Sequence, residues 1–241
     1  MEKEIEKRIE FTHALVHELK TPLTPIMLAS DTLTNVTTKD NKWRPLIDNI
    51  NQGAYQLNRR INELIDLARS EIGVLDVKIE QFDLNTTVIE TVAFFKPKAN
   101  YYNHSIFLQL TDKLPKAAGD SERINQVISN LLDNAIKYSG NGSKIIINTK
   151  VLDEEIVFEI TDNGKGIPVS KLTDVFNPYN RNYNHKLGGL GLGLALSKSI
   201  IDRHNGRIWV KSTEGNGCSF FFTIPVVSNH ITRESYEAIN C

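Results

Sequence analysis

Apolar residues recur at helical spacing from about Lys3 to Asn35, at Ile5, Ile9, Leu15, Leu19, Leu23, Ile26 and Leu33. That spacing predicts one long helix. Polar residues from Asn35 to Asn41 interrupt it. A second stripe follows Pro45 through Leu46, Ile50, Leu57, Ile61, Leu64, Leu67 and Ala68, and Gly73 closes it; proline suits a first helical turn. Two long helices joined by a short polar turn make a helical hairpin. A hairpin cannot cover its own apolar stripe. It either pairs with a second copy as a four-helix bundle or packs on the domain that follows.

From Val77 the periodicity changes. Val77–Leu84 alternates as a strand, Asn85–Lys98 reads as a helix and Ser105–Thr111 as a strand. Asp120 is placed to cap a helix running to about Tyr138. Lys144–Leu152 and Glu155–Thr161 alternate as strands around the acidic turn Asp153–Glu154. A stretch rich in Gly and Asn spans Gly164 to Gly193, then an apolar helix runs from Leu194 to His204. Arg207–Lys211 and Ser219–Pro225 close as a strand pair. The fold class is therefore multidomain, α followed by α+β: a helical hairpin over 1–75, an α/β sandwich over 76–228 and a polar tail over 229–241.

The composition, 241 residues with 40% hydrophobic and 24% charged, supports real cores in both parts. A net charge of -1 gives no general attraction to nucleic acid or to an anionic membrane. No apolar run reaches the length of a membrane span, and the first residues do not open as a signal peptide. Cys218 and Cys241 are too few for a disulfide framework, which points to a reducing, cytoplasmic setting. A sensing part is expected to lie outside these residues.

His17 sits in His17-Glu18-Leu19-Lys20-Thr21-Pro22. A lone helical histidine is ordinarily a surface or packing residue. Here Leu15, Leu19 and Leu23 mark the buried face, so His17 is expected toward water, beside Glu18 as a carboxylate partner for the imidazole. Pro22 removes a helical hydrogen bond next to it, and Pro25 repeats the effect a turn later. His13 lacks a following acid and proline. On the helix after Asp120, Asn130, Asn134 and Lys137 share a face. An amide oxygen suits magnesium and a lysine suits phosphate, although the same spacing also describes a solvated helix face. Asp162-Asn163-Gly164-Lys165-Gly166-Ile167 follows a strand, offering a carboxylate acceptor and a backbone free to approach a flat ligand. A tight turn is the plainer account. Gly188-Gly189-Leu190-Gly191-Leu192-Gly193 opens a helix, a setting suited to phosphate, without the spacing of a P-loop or dinucleotide fingerprint.

The order of these blocks, from about His13 to Pro225, resembles the sensor histidine kinases. His17–Pro22 is similar to that family's H box, Asn130–Tyr138 to its N box, Asp162–Gly166 to its first glycine box, Phe176 with Arg181 to its F box and Gly189–Leu194 to its second glycine box. The resemblance implies a hairpin that dimerises into a four-helix bundle and an ATP-binding domain of the gyrase, chaperone, histidine-kinase and mismatch-repair type. It implies ATP-dependent phosphorylation of His17, with transfer to an aspartate of a response regulator's receiver domain. Glu18 would be the base and Arg181 would stabilise the γ-phosphate. Asn134 would hold Mg2+, Lys137 the phosphates and Tyr138 the adenine region. Asp162 would read the adenine amino group, with Gly164, Gly166 and Ile167 shaping the pocket. Gly189, Leu190, Gly191, Leu192 and Gly193 would form the lid, with Lys186 and His185 as extra phosphate contacts. Thr21 would orient water in dephosphorylating the partner. Hydrolytic relatives carry glutamate where Asn130 stands, which favours transfer over hydrolysis. The pattern departs at Tyr179-Asn180-Arg181, where a second aromatic is expected. A partner-directed phosphatase and a non-catalytic ATP-binding scaffold are the competing readings.

Overall fold

The computed structural model describes residues 2–38, 41–71, 73–178 and 191–227, and for 2–18 and 71 the backbone alone. It divides between Leu75 and Asp76 into two compact units.

The first unit is a hairpin of α1 (Glu2–Val36) and α2 (Arg44–Glu71), and α1 runs through both Pro22 and Pro25. Leu23 of α1 buries against Ala54, Ile61 and Ile65 of α2, with Met27 alongside. Polar side chains do the rest of the pinning. The Arg44 guanidinium donates to the carbonyls of Thr34 (2.7 Å) and Thr37 (2.6 Å) and to the Asp48 carboxylate (2.9 Å), satisfying acceptors that the end of α1 would otherwise leave open. Asp31 accepts from Asn51 (2.6 Å) and from the Tyr55 hydroxyl (2.9 Å).

The sequence stripe predicted Leu15, Leu19 and Leu23 as one buried face. Leu23 is buried, but Leu19 is exposed, as are Ile26 and Leu33 at seven-residue spacing beyond it. On α2, Leu46, Ile50, Leu57 and Leu64 form a second exposed row beside the buried Ala54 and Ile61. Two helices offer each other one narrow seam, and these apolar stripes are wider than that seam.

The second unit is built on a five-stranded sheet in the order β2 (Ser105–Gln109), β4 (Lys144–Leu152), β5 (Glu155–Asp162), β7 (Cys218–Pro225), β6 (Ile208–Ser212). Only β2 and β4 pair in parallel; the other pairs are antiparallel. The short strands β1 (Glu80–Phe82) and β3 (Ala117–Gly119) pair separately. Helices α3 (Leu84–Tyr101), α4 (Ser121–Tyr138) and α6 (Gly193–Arg203) supply the helical layer, and α5 (Val169–Leu172) is a single turn. The strand expected from Val77 shrinks to Glu80–Phe82, because Asp83 caps α3 by accepting the Thr86 N–H and Leu84 is already helical.

Ile124, Val127, Ile128, Leu131 and Leu132 of α4 are wholly buried, and Phe158 stacks on Phe222 across β5 and β7 at 4.6 Å. Asp120 caps α4 as expected, accepting the N–H groups of Glu122 and Arg123 at 3.1 Å. His204, at the end of α6, accepts the Asp120 N–H at Nε2 (2.8 Å) and donates from Nδ1 to the Ile200 carbonyl (2.7 Å). Burial holds its pKa below the usual histidine value, so it ties α6 to α4 as a neutral ring.

Candidate functional site

Three of the sequence blocks meet on α4. Asn130, Asn134 and Lys137 lie on it half-buried, and Tyr138 is exposed at its last residue. The glycine turn after β5 abuts its C-terminal end. A Cβ at Gly164 would sit 2.9 Å from the Ser139 Cα and 3.1 Å from the Tyr138 carbonyl oxygen, so only glycine lets the turn come this close. Gly166 takes φ +68, and a Cβ there would fall 2.2 Å from the Thr213 carbonyl oxygen. A side chain at that position would be both strained and blocked. Ile167 donates its N–H to the Ser212 hydroxyl (2.7 Å), fixing the turn against the end of β6.

The N-terminus of α6 meets α4 about two turns earlier. Asn130 donates from Nδ2 to the Ser197 hydroxyl (2.9 Å), and a Cβ on Gly193 would lie 2.2 Å from its Oδ1. Asn130 thus holds α6 against α4, a packing duty that its residue type did not announce. Gly191 takes φ +71 and Leu192 is buried at the start of α6. Phe176 meets Phe220 of β7 edge-on at 6.3 Å.

The charges are distributed unevenly. Asp162 ends β5 at 8% exposure, accepting the Gly164 N–H at 2.8 Å. Burial pushes its carboxyl up from the usual range against the opposing hydrogen bonds from Gly164, Ser139 and Cys218. Cys218 faces Asp162 across the ladder, and burial with that neighbouring carboxylate pushes its thiol up to about 12. It is an inert wall residue. On α4, Asp133 is 2% exposed and accepts from Lys137 at 2.5 Å and from Lys98 of α3. Its burial favours the neutral acid, but Lys137 and Lys98 outweigh this and hold the carboxyl below its usual value.

Sequence reasoning missed Lys98 and Asp133. Asp133 lies within Asn130–Tyr138, but nothing in the residue string joins it to a lysine 35 positions earlier. In the hairpin unit, the His17 and Glu18 positions belong to α1 but their side chains lie outside the described residues, as does that of His13. Thr21 is exposed one turn after His17. Arg181, His185, Lys186, Gly189, Leu190 and the tail from 229 also lie outside the described residues.

Among the described residues no cluster of three or more His, Cys, Asp or Glu could hold a metal by itself. The donor set fits magnesium of another kind. Magnesium keeps several waters and binds through one or two protein oxygens plus substrate phosphates, and Asn134, half-buried on α4, offers one such oxygen.

Residues 7–73 match the family model described as His Kinase A (phospho-acceptor) domain, and residues 119–228 match histidine kinase-, DNA gyrase B-, and HSP90-like ATPase. The alginate biosynthesis sensor protein KinB of Pseudomonas aeruginosa is 33% identical over 221 residues, covering 91% of this chain and 37% of that protein. The sensor protein kinase WalK of Staphylococcus aureus is 31% identical over 225 residues, covering 91% and 54%. The solved histidine kinase AdeS of Acinetobacter baumannii superposes with a TM-score of 0.64 at 27% identity, covering 88% of this chain and 98% of that one. The chain thus spans from about a third to about half the length of the curated relatives it matches. With a phospho-acceptor hairpin and an ATPase-type sandwich in that order, the chain belongs to the sensor histidine kinases.

Proposed function

We propose that this chain binds ATP on α4, phosphorylates His17 and passes the phosphoryl group to an aspartate on the receiver domain of a response regulator, acting in the cytoplasm as a homodimer. The observation that carries this reading is the convergence on one helix of a buried carboxylate, a lysine pair and a glycine-opened helix N-terminus, with an amide at Asn130 where hydrolysis would need a carboxylate.

Asp162 would accept the exocyclic amine of adenine, and Gly164, Gly166 and Ile167 keep the backbone low beneath the ring. Tyr138 would flank the base. Lys137 would meet the phosphates, while Gly191, Leu192 and Gly193 present the N-terminus of α6 to them. Asn130 sets the position of that helix. Arg181, Lys186, Gly189 and Leu190 are assigned to the phosphate lid from their place in the motifs. Asn134 would hold Mg2+, which when bound neutralises charge on the phosphates. A nitrogen of the His17 imidazole forms the new bond to the γ-phosphorus as the bond to the ADP oxygen breaks, and Glu18 takes the imidazole proton. The exposed rows Leu19, Ile26, Leu33 and Leu46, Ile50, Leu57, Leu64 support a second copy of the hairpin as the dimer partner. The exposure of Thr21 is compatible with a further role in removing phosphate from the regulator.

Incubation with γ-labelled ATP tests the reading. The expected label is acid-labile, stable to alkali, absent in His17→Gln and lost in Asn134→Ala. Acid-stable label, or label that survives His17→Gln, overturns it. ATP binding with no label at all returns the scaffold reading.

A further inference from the structure

Asp133 is a charged residue that α4 turns inward, and two lysines reach it from different helices. The Thr91 hydroxyl of α3 donates to Asn125 of α4 at 2.7 Å, and with the Lys98–Asp133 contact further along both helices this shows them side by side in the same direction. Seven residues further along α3 and eight along α4, the Lys98 ammonium donates to Oδ1 of Asp133, while Lys137 donates to Oδ2 at 2.5 Å. Both lysine side chains keep solvent access, 39% for Lys98 and 24% for Lys137.

A buried carboxylate with one lysine would form a neutral pair and commit that lysine fully. Drawing the ammonium toward a phosphate would then strand the carboxylate in the interior, which is strongly unfavourable. A second lysine removes the conflict. The cluster keeps one net positive charge, and the carboxylate stays paired when either ammonium turns outward. Lys98 lies in none of the five motif blocks, and its stretch reads from the sequence only as a helix.

We infer that Lys98 is a positioning residue of the nucleotide site, holding the Asp133 carboxylate so that Lys137 is available to the phosphates of ATP. The inference rests on the assignment of Lys137 to phosphate.

The test compares ATP with adenosine by titration calorimetry on the full chain. Lys98→Met is expected to weaken ATP on the order of tenfold and to leave adenosine unchanged, because adenosine has no phosphate to compete for Lys137. Lys98→Arg should retain ATP affinity. In Lys98→Met/Asp133→Asn the carboxylate that captures Lys137 is gone, so ATP affinity should return. Unchanged ATP affinity in Lys98→Met overturns the inference. So does an equal loss for adenosine, which marks a fold defect, or a loss that Asp133→Asn fails to reverse. Lys137→Met separates the two layers: if it leaves ATP affinity intact, the phosphate assignment itself fails. If it weakens ATP while Lys98→Met does not, only the role of Lys98 falls.

Discussion

The two units of this chain solve the burial problem in opposite ways. The sandwich closes its own core: five apolar residues of α4 reach zero exposure, and the sheet buries Ile145, Ile147, Ile156, Phe158, Ile160 and Phe222. The hairpin buries one small seam and leaves Leu28 at 68% and Leu57 at 52% exposure. What joins its helices elsewhere is largely polar, with Arg44 and Asp31 as the cross-braces. The sandwich is thus a self-sufficient unit that can carry a site whose groups are fixed to fractions of an ångström. The hairpin is a half-interface, suited to presenting a helix and to being completed by another copy. A binding site and a switching surface make these different demands, and each unit meets one of them.

The sharpest way to break this contrast is to damage the self-sufficient core. Leu131→Ala removes a side chain with no exposure, and deletion of a buried leucine costs about 3 kcal/mol. In urea, monitored by near-ultraviolet circular dichroism, the sandwich transition should move to lower denaturant by that amount at every protein concentration. The hairpin should answer differently. Leu57 is exposed and lies in the hairpin unit, outside the sandwich core, so in Leu57→Glu the sandwich transition should stay where it is. Sedimentation should nevertheless shift from dimer to monomer, as a charge on an apolar bundle seam does not pack. A dimer that survives Leu57→Glu would mean that the exposed rows are not the interface.

The same contrast governs how much the sequence disclosed. Helices long enough to repeat their stripe several times, such as α1, α2 and α4, were legible to within a few residues, and so was β4, whose alternation spans Lys144–Leu152. Short elements escaped: β3 is three residues of Ala and Gly, and α5 is one turn with no buried residue. Neither is long enough to show a period. The local geometry of the candidate site was legible where it lies within one stretch, as in the tight turn after β5 at Asp162–Gly166. It was illegible where chemistry is made by contact between stretches. Asn130 read as a ligand-facing amide, yet its Nδ2 is spent on Ser197, 67 positions away. Lys98 read as nothing, yet it holds Asp133. The exposed face of the hairpin was misjudged at Leu19 for a related reason, since periodicity marks apolar residues without saying which partner covers them.

The smallest expected effect is also the most informative about the sandwich, because it sets stability against function within one residue. Asp162 is a carboxylate kept in a buried setting that favours its neutral form. The folded state therefore binds its proton more tightly than the unfolded state does. Stability falls as pH rises from the unfolded carboxylate pKa toward the higher folded value, and is level above it. Asp162→Asn keeps an oxygen to accept the Gly164 N–H and carries no charge. Its thermal midpoint should match the parent at acid pH and exceed it near neutrality. Differential scanning calorimetry from pH 4 to pH 8 gives the comparison, and titration with ATP gives the functional half. The expected pairing is a more stable protein that binds ATP far more weakly, since an amide cannot serve the adenine amine as the carboxylate does. An Asn variant that is less stable at neutral pH would show that the hydrogen bonds to Asp162 outweigh its desolvation, and the charge would then be part of the core rather than a cost carried for the ligand.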